Sequence, residues 1–293
     1  MKQFLESEIQ STYEEAKIVI LPIPYEATTT YRKGCEHGPD AILIASDQLE
    51  CYDEELDIET CFQTSIFTSN YIADTRVNNL LTAEEMLQVT TDTVKQFIQD
   101  GKFVIALGGE HAITTGVVQA YQQSLDETFT VIQIDAHGDM RYEFEGSIHN
   151  HACVMRRVLE LGLPTLPVGI RAICQEEASL IKEKNIPVMW ARDIYYNSDW
   201  MERSIDNIKT KKVFITIDLD GIDPSLMPGV GTPEPGGLNW YQLLAFMRLI
   251  FAKFEVIGCD IMELAPTKDS VVSEFTAAKL IYKLIGYLTI ENR

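Results

Sequence analysis

Asp135, His137 and Asp139 stand at alternate positions in the run Val131-Ile-Gln-Ile-Asp135-Ala-His137-Gly-Asp139. The apolar, β-branched residues ahead of them read as a strand entering a buried sheet. Alternate residues of an extended chain point the same way, so the three side chains are expected to converge on one side. Two carboxylates and an imidazole form a borderline-hard donor set, suited to Mn2+, Fe2+, Co2+ or Zn2+. Taken alone, the pattern also fits a polar loop after a strand, because Asp and Gly are common turn-formers.

Two further stretches repeat the arrangement. Val213-Phe-Ile-Thr-Ile-Asp218-Leu-Asp220-Gly-Ile-Asp223-Pro224 is an apolar run ending in acids two apart, and Phe103-Val-Ile-Ala-Leu-Gly108-Gly109-Glu110-His111 ends in a glycine pair and a histidine. Three strands thus bring His111, Asp135, His137, Asp139, Asp218 and Asp220 to their C-terminal ends. That edge is where open parallel sheets bind ligands. Six donors exceed the needs of one tetrahedral ion and suit two adjacent ions that share carboxylates.

The segments at 108–111, 135–139 and 216–224 resemble the metal motifs of the ureohydrolase family, which includes arginase and agmatinase. The likeness covers nearly the whole chain: Thr30-Tyr-Arg-Lys-Gly34 and Gly38-Pro-Asp-Ala41 fit an N-terminal pattern, and Gly258-Cys-Asp-Ile-Met-Glu263 fits a late one. Ser147-Ile-His-Asn-His151-Ala-Cys-Val-Met-Arg156-Arg157 resembles the agmatinase-like loop rather than that of arginase. The resemblance implies a three-layer α/β/α, arginase-like fold with a mainly parallel central sheet. It implies hydrolysis of a guanidino group with release of urea, agmatine to putrescine being the leading reaction. Guanidinobutyrate, arginine and aminopropylagmatine are the alternative substrates, and a non-catalytic metal-binding relative or a single-metal deacylase the alternative classes. It also implies a trimeric or hexameric homo-oligomer and two divalent ions, Mn2+ first among them.

A guanidinium resists attack by water because its charge is delocalised; two ions that lower the pKa of a bridging water give hydroxide at neutral pH. By the resemblance, His111, Asp135, Asp139 and Asp218 or Asp220 divide between the ions, and Asp139 also accepts a hydrogen bond from the hydroxide. Glu263, at the end of an apolar run, can hold two guanidinium N–H groups in a planar fork, the role the family gives it. His151 titrates near neutrality and is the candidate proton shuttle for the leaving amine. Thr232, in the turn-rich loop Gly231–Gly237, is a candidate substrate contact; Glu234 beside it matches agmatinase-like members. The loop Met140–Gly146 lacks the Asn and Ser run expected for an α-carboxylate, and its Glu143 and Glu145 suit an amine tail. Arg141 in the same loop could instead take a carboxylate. His37 and His149 read as loop histidines, and Asp260 as a structural hydrogen-bond acceptor.

The elements that must position these groups alternate along the chain. Strands are expected over 17–24, 63–69, 103–108, 129–135, 165–169, 187–190, 213–218 and 254–262. Helices are expected over 41–49, 82–98 (opened by a Thr82/Glu85 capping box), 112–123, 152–161, 175–184, 199–209, 239–252 and 271–288. Apolar strands alternating with helices imply a parallel sheet covered on both faces, and no linker or repeat divides residues 1–293. A length of 293 residues, 46% of them hydrophobic, is enough for one large core. No apolar run reaches about 18 residues, the length of a membrane span, and the polar, acidic opening is unlike a signal peptide; a cytoplasmic location is expected. The net charge of −20 argues against nucleic-acid partners and favours approach of a small cation, though acidic surfaces also aid solubility. The six cysteines form no C-x-x-C pair and are expected to be reduced.

Overall fold

The computed structural model describes residues 2–9 and 11–291. Among these, the chain runs β1 (Ile18–Ile23), α1 (Gly38–Ser46), β2 (Tyr52–Asp53), β3 (Ile58–Glu59), β4 (Ile66–Thr68), α2 (Ala83–Gln99), β5 (Phe103–Gly108) and α3 (Ile113–Ser124). It continues with β6 (Phe129–Ile134), α4 (Val154–Glu160), β7 (Thr165–Ile170), α5 (Gln175–Lys184), β8 (Met189–Trp190), α6 (Ala191–Tyr196) and α7 (Trp200–Asn207). The last elements are β9 (Lys212–Asp218), α8 (Trp240–Lys253), β10 (Glu255–Met262) and α9 (Val272–Glu291). Eight strands make one sheet in the order β4-β1-β5-β10-β9-β6-β7-β8. Every pairing in it is parallel. β2 and β3 form a separate antiparallel hairpin.

Period-two alternation decides which residue serves which face. Ile105, Leu107, Ile132, Ile134, Ile215 and Ile217 enter one apolar cluster with Ile42 of α1, Phe246 of α8 and Leu280 of α9. Their neighbours Val104, Ala106, Val131 and Phe214 enter a second cluster with Val94 of α2, Val117 of α3, Val158 of α4 and Leu180 of α5. The sheet is therefore covered on both faces, and β1, β6 and β7 are buried along their whole length. This is the α/β/α arrangement that continuous apolar strands require.

Local signals set most boundaries. The Thr82 capping box is present, with Glu85 N–H donating to Thr82 Oγ1 at 3.2 Å and Thr82 N–H to Glu85 Oε2 at 2.9 Å. Helix α1 begins at Gly38 rather than 41, since Pro39 sits in the first turn, where its missing N–H costs nothing. The expected strand at 187–190 pairs with β7 only over Met189–Trp190, and α6 follows at once, a helix the periodicity did not show. The β2–β3 hairpin was likewise not foreseen. It is pinned to α9 by a buried ion pair, with Lys283 Nζ 2.8 Å from Asp53 Oδ1 and 2.7 Å from Glu55 Oε2.

Candidate metal centre and active site

β5, β10, β9 and β6 lie side by side at the centre of the sheet, so their C-terminal ends share one rim. The turn out of β5 demands glycine: a Cβ on Gly109 would lie 1.9 Å from Tyr25 O. That close approach lets the chain fold straight into His111. β6 stops at Ile134, so Asp135, His137 and Asp139 converge from a loop and not from the pleat of a strand. Asp139 takes a left-handed backbone, φ 52°, which turns its side chain back toward the others. Asp218 is the last residue of β9, whereas Asp220 sits on a 3-10 turn, Leu219–Gly221.

The six donors resolve into two groups that share Asp135: His111, Asp135, Asp139 and Asp218, all buried, and Asp135, His137 and Asp220. His111 Nδ1 lies 3.2, 3.1 and 3.3 Å from oxygens of Asp135, Asp139 and Asp218. His137 Nδ1 lies 2.9 Å from Asp220 Oδ2 and 3.8 Å from Asp135 Oδ1. Asp218 thus goes with His111 and Asp220 with His137, a division the sequence left open. Thr216 Oγ1 lies 2.8 Å from His111 Nε2; a bond there leaves Nδ1 to face the carboxylates. Gln133 Nε2 holds Asp135 Oδ2 at 2.8 Å, and Ala136 N–H holds Asp220 Oδ1 at 3.0 Å.

The electrostatics show what the cluster suits. Burial, then the charges of Asp139 and Asp220, push Asp135 up to about 7. Burial, then Asp220 and Asp135, push Asp218 well above the ordinary carboxylate range. Burial pulls His137 down, but its bond to Asp220 and that acid's charge raise it to about 11. Burial opposes ionisation of Asp220 as well, yet His137 draws it down to about 2. Packed carboxylates that must be neutralised by protons, with imidazole nitrogens among them, fit divalent cations. No helix among the described residues is long and apolar enough to cross a membrane.

Above the cluster opens a cleft of about 330 Å³, lined by His137, Asp139, Asp218, Asp220, Glu263, His151 and Thr232 among others. His111 and Asp135 lie buried beneath it. Glu263 follows β10 with φ 67°, and its Oε1 accepts the His111 N–H at 2.7 Å. Burial, reinforced by the charge of Glu110, raises it to about 8. His151 opens a short 3-10 turn capped by Asn150, and burial lowers its pKa against the charge of Asp139. Thr232 Oγ1 reaches Asp220 Oδ2 at 3.4 Å.

Glu143 and Glu145 are exposed and are not among the residues that line the cleft. The chain turns at Glu145 and Gly146, both with positive φ, and Phe144 between the two acids supplies the wall, with Arg141 stacked 4.6 Å from its ring centre. Beyond the donors and Glu263, two acids line the cleft: Glu234, half-buried, and Glu177, which is buried and accepts the N–H groups of Met140 at 2.8 Å and Cys174 at 2.7 Å. Arg171 ties Glu234 to the centre, donating to Asp220 O at 2.6 Å and Glu234 O at 2.8 Å; nothing in its local sequence signals this. His37 and His149 stand outside the cleft. Asp260 is buried beside Thr114 and Thr216, but those hydroxyls bond to each other at 3.2 Å; neither Asp260 oxygen accepts a well-formed hydrogen bond among the described residues.

A model of the arginase family matches residues 16–286. The chain belongs to the arginase family. Among its relatives, the N(1)-aminopropylagmatine ureohydrolase of Synechocystis sp. is 63% identical over 286 residues, 98% of this chain and 94% of that protein. The agmatinase of Pyrococcus horikoshii is 32% identical over 275 residues, 93% of this chain and 92% of that protein. The crystal structure of the agmatine ureohydrolase of Thermoplasma volcanium superposes with a TM-score of 0.83 at 30% identity, covering 98% of this chain and 94% of that one. This arginase-family chain is therefore a hydrolase acting on a guanidino group, built on the arginase fold. The family depends on a pair of metal ions, and the buried His/Asp cluster is able to hold metal.

Proposed function

We propose that this enzyme hydrolyses N(1)-aminopropylagmatine, cleaving its guanidino group to urea and leaving the triamine, with agmatine as a poorer substrate. The observation that carries this reading is the 63% identity to a protein of that name, against 32% to one named agmatinase. The cleft is consistent with it. Glu234 adds a half-buried acid to the cleft lining, where a tail with a further ammonium group would lie, while Ala172 and Ile173 offer apolar surface for methylenes.

His111, Asp135, Asp139 and Asp218 would hold one divalent ion, and Asp135, His137 and Asp220 a second; Mn2+ is the ion proposed. When bound, the pair supplies a water activated at neutral pH. Glu263 holds the planar guanidinium against the cluster, and its raised pKa is that of a carboxylate awaiting a cation. Asp139, at the cleft surface, accepts a hydrogen bond from the attacking water. Water adds to the guanidinium carbon, the bond from that carbon to the chain nitrogen breaks, and the departing amine takes a proton relayed by His151. Thr232 steadies Asp220 and touches substrate. Residues 1–293 act as a single domain of a cytoplasmic homo-oligomer, trimeric or hexameric.

Urea release by the Mn2+-loaded enzyme, measured with aminopropylagmatine, agmatine, guanidinobutyrate and arginine, tests the assignment. One extra partly desolvated ion pair contributes about 1.4 kcal/mol, so kcat/KM for aminopropylagmatine should exceed that for agmatine by about tenfold or more. Equal values, or a preference for a carboxylate-bearing substrate, would sink it.

A further inference from the structure

His151 is held by more than its own turn. Its main-chain N–H donates to Thr28 Oγ1 at 3.1 Å, and its Nδ1 lies 3.4 Å from the same oxygen. Thr28 Oγ1 is in turn 2.7 Å from Oε1 of Glu110. The other oxygen of Glu110 accepts the N–H groups of Ala27 at 2.8 Å and Thr28 at 2.7 Å. Glu110 is fully buried, one residue before the metal-ligand candidate His111. One carboxylate therefore anchors a loop that is distant in sequence, and the residues just after Thr28 (Thr29 to Arg32) line the cleft.

The direction of these bonds follows from what each group can do. Two main-chain N–H groups converge on one oxygen of Glu110 and the Thr28 hydroxyl donates to the other, so that hydroxyl spends its single hydrogen on Glu110. Only lone pairs of Thr28 Oγ1 remain for His151. The Nδ1 contact is favourable only if Nδ1 carries a hydrogen, and a neutral ring with Nδ1–H has its free lone pair on Nε2. We propose that Thr28, locked by Glu110, is a positioning residue of this enzyme: it fixes the ring orientation and tautomer of His151, so that Nε2 is the nitrogen that gives and regains the proton within the cleft. The proposal rests on the reading of His151 as proton relay. It assigns the N-terminal loop a part in the chemical step as well as in walling the cleft.

The test uses Thr28→Val, Thr28→Ser, His151→Ala and the double variant Thr28→Val/His151→Ala, all Mn2+-loaded, with metal content and urea-release kinetics on aminopropylagmatine. Val keeps the shape of Thr and removes the hydroxyl. Thr28→Val should lower kcat by about ten- to a hundredfold with KM within about threefold and the metal retained, the signature of an interaction that matters in the chemical step. Thr28→Ser should stay within about threefold of wild type, because the hydroxyl persists. In the His151→Ala background the Val change should cost less than about twofold, since residues acting through one another are non-additive. Additive losses, metal loss in Thr28→Val, or a Ser variant as impaired as Val would overturn the positioning role. Unchanged kcat in Thr28→Val alongside a large loss in His151→Ala would overturn positioning alone and leave the relay standing. Unchanged kcat in His151→Ala would overturn both.

Discussion

Loading the centre with Mn2+ should expel protons, and the two imidazoles set how many. Without a cation, His137 is raised to about 11 by Asp220, against the pull of burial. His111 is also raised well above its usual range: burial lowers it, but Asp135, Asp139 and Asp218 outweigh that. Both rings are then imidazolium at about pH 8, and each must lose a proton to ligate. Occupying both groups should release about two protons from the imidazoles, to which Asp135, at about 7, and Asp218, held well above the ordinary carboxylate range, add. Each released proton steepens affinity by about 1.4 kcal/mol, or tenfold, per pH unit. The product of the two binding constants should thus rise by at least about a hundredfold between about pH 7 and 8. Calorimetric titration with Mn2+ in buffers of different ionisation enthalpy counts the protons from the slope of heat against buffer enthalpy. A stability consequence follows with a definite sign. A histidine whose folded pKa is raised contributes stability that is complete below its unfolded value of about 6.5 and lost as pH climbs through its folded value. The chelator-treated enzyme should therefore lose melting temperature as pH rises from about 7 toward 11, more steeply than the loaded enzyme. A slope below one proton, together with affinity flat over about pH 7 to 9, would refute the reasoning.

Three other outcomes are expected. His151→Ala should lower kcat by about 10²–10⁴ while keeping both ions, and metal loss on atomic-absorption analysis would mark the ring as structural to the centre instead. Glu234→Gln should raise KM for aminopropylagmatine by up to about tenfold, whereas Glu143→Gln/Glu145→Gln, outside the cleft, should leave it within about twofold; steady-state kinetics showing the reverse would return the tail to the 143–145 loop. Lys283→Met strands the buried Asp53 carboxylate and should cost about 3–5 kcal/mol in denaturant melts, with a loss under about 1 kcal/mol contradicting the role given to that pair.

The six donors were legible because three apolar strand patterns ended in ligand-type residues, and a parallel sheet sends such ends to one rim. Their grouping was not legible. It depends on β6 stopping at Ile134, on the left-handed backbone of Asp139 and on the 3-10 turn that carries Asp220, none of which leaves a period in the sequence. The loop after Asp139 failed for a related reason: two acids flanking an aromatic do not say which of the three faces inward. The turn at Glu145–Gly146 decides it in favour of Phe144. Thr28 is separated from Glu110 by 82 positions and from His151 by 123, so no local signal could join them. Glu110 itself lay within a recognisable motif, but next to a histidine ligand it read as context.

A fold that buries so many acids under one cleft works against its own stability unless cations arrive, and that conflict accounts for the division of labour. The sheet supplies the rigidity. Ile134, Ile217 and Leu107 are fully buried just below the rim, so the loops that bear the donors spring from strands that cannot yield. The N–H bonds to Asp135, Asp218, Asp220 and Glu263 fix carboxylate orientation without neutralising charge. What remains is negative potential at the base of the cleft, which suits divalent ions at the lower acids and, on the proposed reading, a guanidinium at Glu263. The net charge of −20 cannot provide this, because surface carboxylates are screened over about 8–10 Å at physiological salt. On the proposed reading, selectivity for a cationic substrate falls to the few acids that line the cleft, and the acidic surface adds only to the rate of encounter.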